Sequence, residues 1–192
     1  MVAGVFSPVL LGQYFNAAKA ASLLSLPLVA ANLVYAPMIS AYYHSRDIGR
    51  LQNVCREMSR SVLILSVLGF VLLYVFGADI LRVFGPSYTS ATSLLRILCI
   101  GSLVNALCGA SGAPLAFTTH ERTLIRILAA TLTTMVLAMP TEIWAMGPTG
   151  AALVAVGGQV MWNVWASARG LSLVGVDPTV LSLLRLPRLR TA

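Results

Sequence analysis

Apolar residues in this chain fall in long, nearly unbroken runs, and most charged residues lie in the gaps between them. A bilayer core of about 30 Å needs roughly 20 apolar residues in helical form. Five runs meet that length, and they predict helices over about 17–43, 61–78, 91–118, 124–143 and 149–168. The first carries no charge after Lys19. The second reads SVLILSVLGFVLLYVFGA. The third holds one charge, Arg96, the fourth has Arg126 and Glu142 near its ends, and the fifth has none.

Two shorter stretches follow a different pattern. In RDIGRLQNVCREMSR, residues 46–60, the apolar Ile48, Leu51, Val54, Cys55 and Met58 recur at helical spacing with arginines on the other face. That arrangement predicts an amphipathic helix lying in the membrane interface. In ADILRVFGPSY, residues 78–88, Ile80, Leu81, Val83 and Phe84 form a shorter amphipathic turn that Gly85 and Pro86 end. The sequence after the fifth run, 171–192, has Asp177–Pro178 and Pro187 as breakers and reads as an interfacial tail.

Composition turns the pattern into a class. The chain is 58% apolar and 10% charged, with a mean hydropathy of +0.85; soluble domains carry about 25% charged residues. The expected fold is an all-α integral membrane protein: an outer lead-in segment, 1–16; a membrane bundle of five transmembrane helices plus the interfacial helix, 17–170; and a tail, 171–192. The first run is read as a retained span, because it exceeds the roughly 7–15 apolar residues of a signal peptide and Lys19 lies inside the chain.

Charge then orients the bundle, since Lys and Arg of short loops stay on the cytoplasmic side. Arg46, Arg50, Arg56 and Arg60 follow the first run; Arg122 and Arg126 follow the third; Arg169, Arg185, Arg188 and Arg190 follow the fifth. The opposite loops offer only Arg82. The amino terminus is expected outside and the carboxyl terminus inside. The net charge of +7 fits attraction to an anionic inner leaflet. Nucleic acid is not an expected partner, because no aromatic side chains interleave with the basic ones.

The candidate chemistry is sparse. Pro27 and Pro37 in the first run, Pro114 in the third and Pro140 in the fourth each remove a backbone hydrogen bond and are expected to bend their helices. Gly109, Ser111, Gly112 and Ala113, with Gly147, Gly150, Gly157 and Gly158, are expected to let helices approach closely. Asn32, Asn105, Gln159 and Asn163 are expected to hydrogen-bond between helices, and Lys19 and Arg96 either face a cavity or snorkel to headgroups. Cys55, Cys99 and Cys108 have no metal-binding spacing; Cys99 and Cys108, nine apart, are placed on opposite faces of one helix. His44 and His120 each stand singly near a predicted boundary. No metal and no cofactor are expected. With no mid-span carboxylate, nucleophile–base pattern or phosphate-binding loop, enzymatic activity is not expected either.

The order of several segments resembles one family. LGQYFNAAKAASLLSLPLVAANLVYAPMIS (11–40), DIGRLQNVCREMSR (47–60), GADILRVFGPSYTSATSLLRILCIGSLVNALCG (77–109), TTHERT (118–123) and GPTGAALV (147–154) are similar to successive parts of bacterial polysaccharide flippases. These belong to the multidrug/oligosaccharidyl-lipid/polysaccharide exporter superfamily. The resemblance covers essentially the whole chain and rests on order and spacing.

It implies the carboxyl-terminal, MATE-like bundle of a flippase in the bacterial inner membrane, its five spans matching the last five of a roughly twelve-span member. The implied cargo is an undecaprenyl-pyrophosphate-linked oligosaccharide, and the implied partner is the missing amino-terminal half or a separately encoded one. Within that reading Lys19 is the candidate for the pyrophosphate, with Tyr14 and Asn32 as glycan contacts and Arg96 as a further cavity candidate. Two alternatives stand beside it. One is a cation-coupled multidrug exporter of the same superfamily, and the other is a non-transporting scaffold for glycan-assembly enzymes.

Overall fold

The computed structural model describes residues 8–83, 85, 91–180 and 182. Among them the chain is all-helical: α1 (Pro8–Ser22), a 3-10 turn (Leu23–Ser25), α2 (Leu26–His44), α3 (Ile48–Val83), α4 (Thr92–Leu107), the single turn α5 (Ala113–Ala116), α6 (Glu121–Met146) and α7 (Pro148–Val174). Three helical stretches are long and apolar enough to cross a membrane: Leu11–His44, Ile48–Val83 and Glu121–Met146. α4 is shorter, at 16 residues or about 24 Å. α7 has 27 residues but carries Gln159 and Asn163 in its middle.

The first predicted run is preceded by further helix. α1 begins at Pro8, inside the expected lead-in segment, so Lys19 lies in its last turn. The bend foreseen at Pro27 is a 3-10 turn just ahead of it. Proline has no N–H for the Leu23 carbonyl, and Leu26 donates to that oxygen instead. Ser22 and Ser25 donate their hydroxyls to the carbonyls of Lys19 and Ser22 at 2.7 and 2.5 Å, satisfying further backbone oxygens at the irregular turn. Pro37 and Pro140 sit inside α2 and α6, which continue through them.

The stretch 46–60 is not a separate interfacial helix. It forms the first turns of α3, a 36-residue helix about 54 Å long. The reason lies in one continuous buried stripe: Leu51, Val54, Cys55, Met58, Val62, Ser66, Leu73, Gly77 and Leu81. The arginines lie off that stripe, so nothing interrupts the packing where polarity changes. Asp47 starts the helix, its Oδ1 accepting from the Arg50 amide at 3.0 Å, an N-cap arrangement. The turn foreseen after 78 is likewise the end of α3, through Val83; Pro86 and Tyr88 lie outside the described residues.

The third predicted run breaks. α4 ends at Leu107, Cys108 caps it, and Gly109 adopts φ 65°, where a Cβ would be strained. Pro114 therefore opens the turn α5 and does not bend a continuous span. Cys108 lies beyond α4, so it shares no helix with Cys99.

Packing runs in the order α2–α3–α4–α7–α6, with α1 against α4. Small residues make the contacts, as expected where lipid leaves no hydrophobic drive between helices. Ala17, Ala20 and Ala21 of α1 bury among Leu94, Leu95 and Leu98 of α4, and Ala151 and Ala152 of α7 are fully buried. α6 and α7 form a tight hairpin at Gly147, φ 61°, and Gly150 there abuts the backbone of Glu142. Gly157, expected to pack, faces open space. Large apolar side chains point outward instead: Leu33, Leu137 and Trp144 are mostly exposed, Trp144 at 89%.

Candidate functional site: a cleft at the helix break

One end of the bundle gathers the connections 44–48, 107–121 and 174–180, and with them Arg46, Arg50, Arg122 and Arg169. Side-chain contacts tie these connections together. The Tyr43 and Thr119 hydroxyls share a 3.1 Å hydrogen bond, and the rings of Tyr43 and His120 meet edge-on at 6.2 Å. His120 Nδ1 lies 3.2 Å from Thr118 Oγ1, and His44 Nδ1 lies 2.8 Å from the Ser40 carbonyl.

Just inside this end lies a half-open cleft of about 190 Å³. α2 contributes Leu28 and Asn32, just past the Pro27 bend. The break contributes the backbone of 109–113, α5 contributes Ala116 with Phe117 beyond it, α6 contributes Leu124 and Leu128, and α7 contributes Trp162. The Ala110 amide donates to Ser59 Oγ at 3.2 Å, so the floor of the cleft is level with Ser59. The long apolar run of α3 starts at Ser61. The cleft therefore reaches from the edge of the α3 apolar run to Leu28 and Asn32, which lie within the first apolar run. Its lining is mainly apolar and aromatic, with Ser111 of the break and the half-buried Asn32 as its polar residues, and no ionisable residue lines it among the described residues.

Behind the break a buried polar cluster holds α4 to α7. Asn163 Nδ2 donates to Asn105 Oδ1 and to the Gln159 carbonyl, both at 2.7 Å. Ser111 donates its hydroxyl to Asn163 Oδ1. Asn163 is fully buried, Asn105 and Ser111 nearly so. The expectation of interhelical bonding thus applies to Asn105 and Asn163. Gln159 takes part through its backbone, and Asn32 turns to the cleft.

The remaining sequence candidates lie elsewhere. Lys19 is exposed near the other end, its Nζ 5.3 Å from the centre of the Phe15 ring. Because a helical side chain leans toward the amino terminus, the ammonium lies back along α1 over Phe15. Arg96 is also exposed, its guanidinium 5.1 Å from the Tyr74 ring. Tyr14 packs against the alanine-rich core around α1 and α4. The structure brings none of these three to the cleft. Cys55 and Cys99 are buried and Cys108 half-buried, all as free thiols. Among the described residues no three His, Cys, Asp or Glu side chains gather as a metal site.

Trp162, Phe117, Leu124 and Leu128 escaped the sequence reading. Each is an ordinary apolar residue of its own run, and only the neighbouring of α2, α6 and α7 gives them a common role. Gly109, Ser111 and Gly112 were legible as small residues ahead of a proline, a pattern that also marks a break. No protein-family model, curated protein or solved structure matches the chain.

Proposed function

We propose that the chain is part of a membrane transporter that flips lipid-linked oligosaccharide across the bacterial inner membrane. In this reading α4 with α5 and α7 complete a five-span set, the amino terminus is outside, and the arginine-bearing end faces the cytoplasm. The observation that carries the reading is the broken helix at 108–112 lining a cleft. At membrane depth, irregular backbone is tolerated where it borders a cavity or is buried in protein, and transporters use such breaks to form cargo sites.

The level of the cleft suits that cargo. A lipid-linked glycan starts with its head at the cytoplasmic rim and its tail in the hydrocarbon. A cleft that reaches from the edge of the apolar belt to Leu28 and Asn32 within it, flanked by α2 and α6, admits the head without withdrawing the tail from lipid. Asn32 offers both a donor and an acceptor to sugar hydroxyls, and Trp162 and Phe117 offer flat apolar faces. The pyrophosphate needs a cation that this cleft lacks. Lys19 and Arg96, at the far end, serve that need in a path whose other wall comes from the rest of a transporter.

The apolar lining also favours a second reading, export of apolar drugs by the same superfamily. Deleting the gene separates the two. A flippase leaves lipid-linked oligosaccharide stranded on the inner leaflet and surface glycan depleted, with drug tolerance unchanged. An exporter leaves glycan normal and drug tolerance reduced. If neither changes and the chain co-purifies with a glycosyltransferase, a scaffold is the better account.

A further inference from the structure

The segment after α7 is held at several points. Gly175 leaves the helix with φ 76°, and the chain turns across the first turns of α3 and the carboxyl end of α4. Gln52 on α3 pairs twice with the backbone of Asp177: Nε2 donates to the carbonyl and Oε1 accepts from the amide, each at 2.8 Å. Ser59 donates to the Pro178 carbonyl at 2.6 Å, and the Val180 amide donates to the Leu107 carbonyl at 3.3 Å. The Asp177 carboxylate accepts from the Thr179 amide and hydroxyl at 3.0 and 2.6 Å, rigidifying the turn. Val176 and Pro178 are fully buried. The interfacial tail expected from sequence is, over 175–180, an ordered part of the bundle; Arg185, Pro187, Arg188 and Arg190 lie outside the described residues.

Ser59 joins this segment to the cleft. The hydroxyl that donates to Pro178 accepts the Ala110 amide, and Ala110 belongs to the break that lines the cleft. Gly109 makes the approach possible: a Cβ there would stand 2.5 Å from both the Pro178 carbonyl oxygen and Ser59 Oγ. On the other side of the same break, Gly112 lies against Trp162.

We infer that residues 175–180 form a strap that sets the shape of the cleft. Docked, the strap fixes Ser59, and Ser59 fixes the break against Trp162. Released, it takes away a partner of Ser59 and the buried Pro178 beside Gly109, and the cleft floor is free to move. Strap and break therefore open as one cooperative unit. The inference stands on this geometry whatever cargo the cleft takes.

Hydrogen exchange of the full chain in lipid nanodiscs tests it, read over 107–117 and 175–180. In the wild type the amides of Ala110, Asp177 and Val180 open together, with protection agreeing within about threefold. A difference above roughly tenfold between break and strap overturns the inference. Gln52→Ala removes both bonds to Asp177, and exchange is expected to rise about tenfold in both segments with α6 unchanged. A rise confined to 175–180, or no rise, also overturns it. If α6 exchanges faster as well, the variant has lost its fold and the wild-type comparison decides.

Discussion

Asn163 on α7 donates to Asn105 on α4 across 2.7 Å in a buried interface. Both amide hydrogens of Asn163 are used and its oxygen accepts from Ser111. Asn163→Leu leaves the Asn105 oxygen and the Ser111 hydroxyl without that partner, so it is expected to destabilise the bundle by about 1–3 kcal/mol. Reversible unfolding in mixed micelles measures it. A double cycle with Asn105→Ala and Asn163→Ala should return a coupling of about 0.6 kcal/mol, and no more than about 1.7.

Two glycines separate packing from mere presence in a helix. At Gly101 a Cβ would stand 2.5 Å from Val156 Cγ2, and a valine is stiff at χ1. Gly101→Ala should lower stability by about 1–3 kcal/mol. Gly157 has nothing within 4 Å of that position, so Gly157→Ala should raise stability by about 0.5–1 kcal/mol. The same unfolding assay reads both, and equal effects would show that the α4–α7 approach is looser than described.

These contrasts show where sequence reading reaches and where it stops. Long apolar runs announce helices, because lipid demands them whatever packs inside. Composition was a poor guide to where α3 begins. Arginines at 50, 56 and 60 suggested a separate element, yet Leu51, Val54, Cys55 and Met58 lead at unbroken helical spacing into Val62 and Ser66. Periodicity was the better signal there. The small residues near 109 were visible, but a close packing site and a helix end use the same residues. The choice rests on the φ of Gly109 and on the Pro178 carbonyl beside it, which comes from about 70 residues further along the chain. The cleft was half legible for the same reason: Asn32 and the glycines stood out, whereas Trp162 became relevant only through helix order.

Lys19 and Phe15 make an exposed cation–π pair, a kind of contact that contributes about 0.5–1 kcal/mol. Lys19→Ala should therefore change stability by no more than about 1 kcal/mol. In an assembled transporter it should reduce surface glycan at unchanged protein level. Normal export by that variant removes Lys19 from the path of the cargo.

The arginine-bearing end is expected in the cytoplasm. In a background without the native cysteines, Ser45→Cys and Thr119→Cys should react with a membrane-impermeant maleimide only after the cells are opened. Thr149→Cys, at the other end, should react in intact cells. Labelling of all three from one side would contradict the five-span arrangement.

Whether the cleft holds lipid-linked oligosaccharide is decided by capturing what enters it. Benzoylphenylalanine placed at position 117 in the full chain, in membranes of cells making lipid-linked oligosaccharide, is illuminated and the adducts are identified. The same probe at position 137, whose leucine points outward, is the control. The account predicts oligosaccharide-bearing adducts from 117 and only ordinary lipid from 137. Ordinary lipid from both positions, or equal oligosaccharide capture at both, would contradict it.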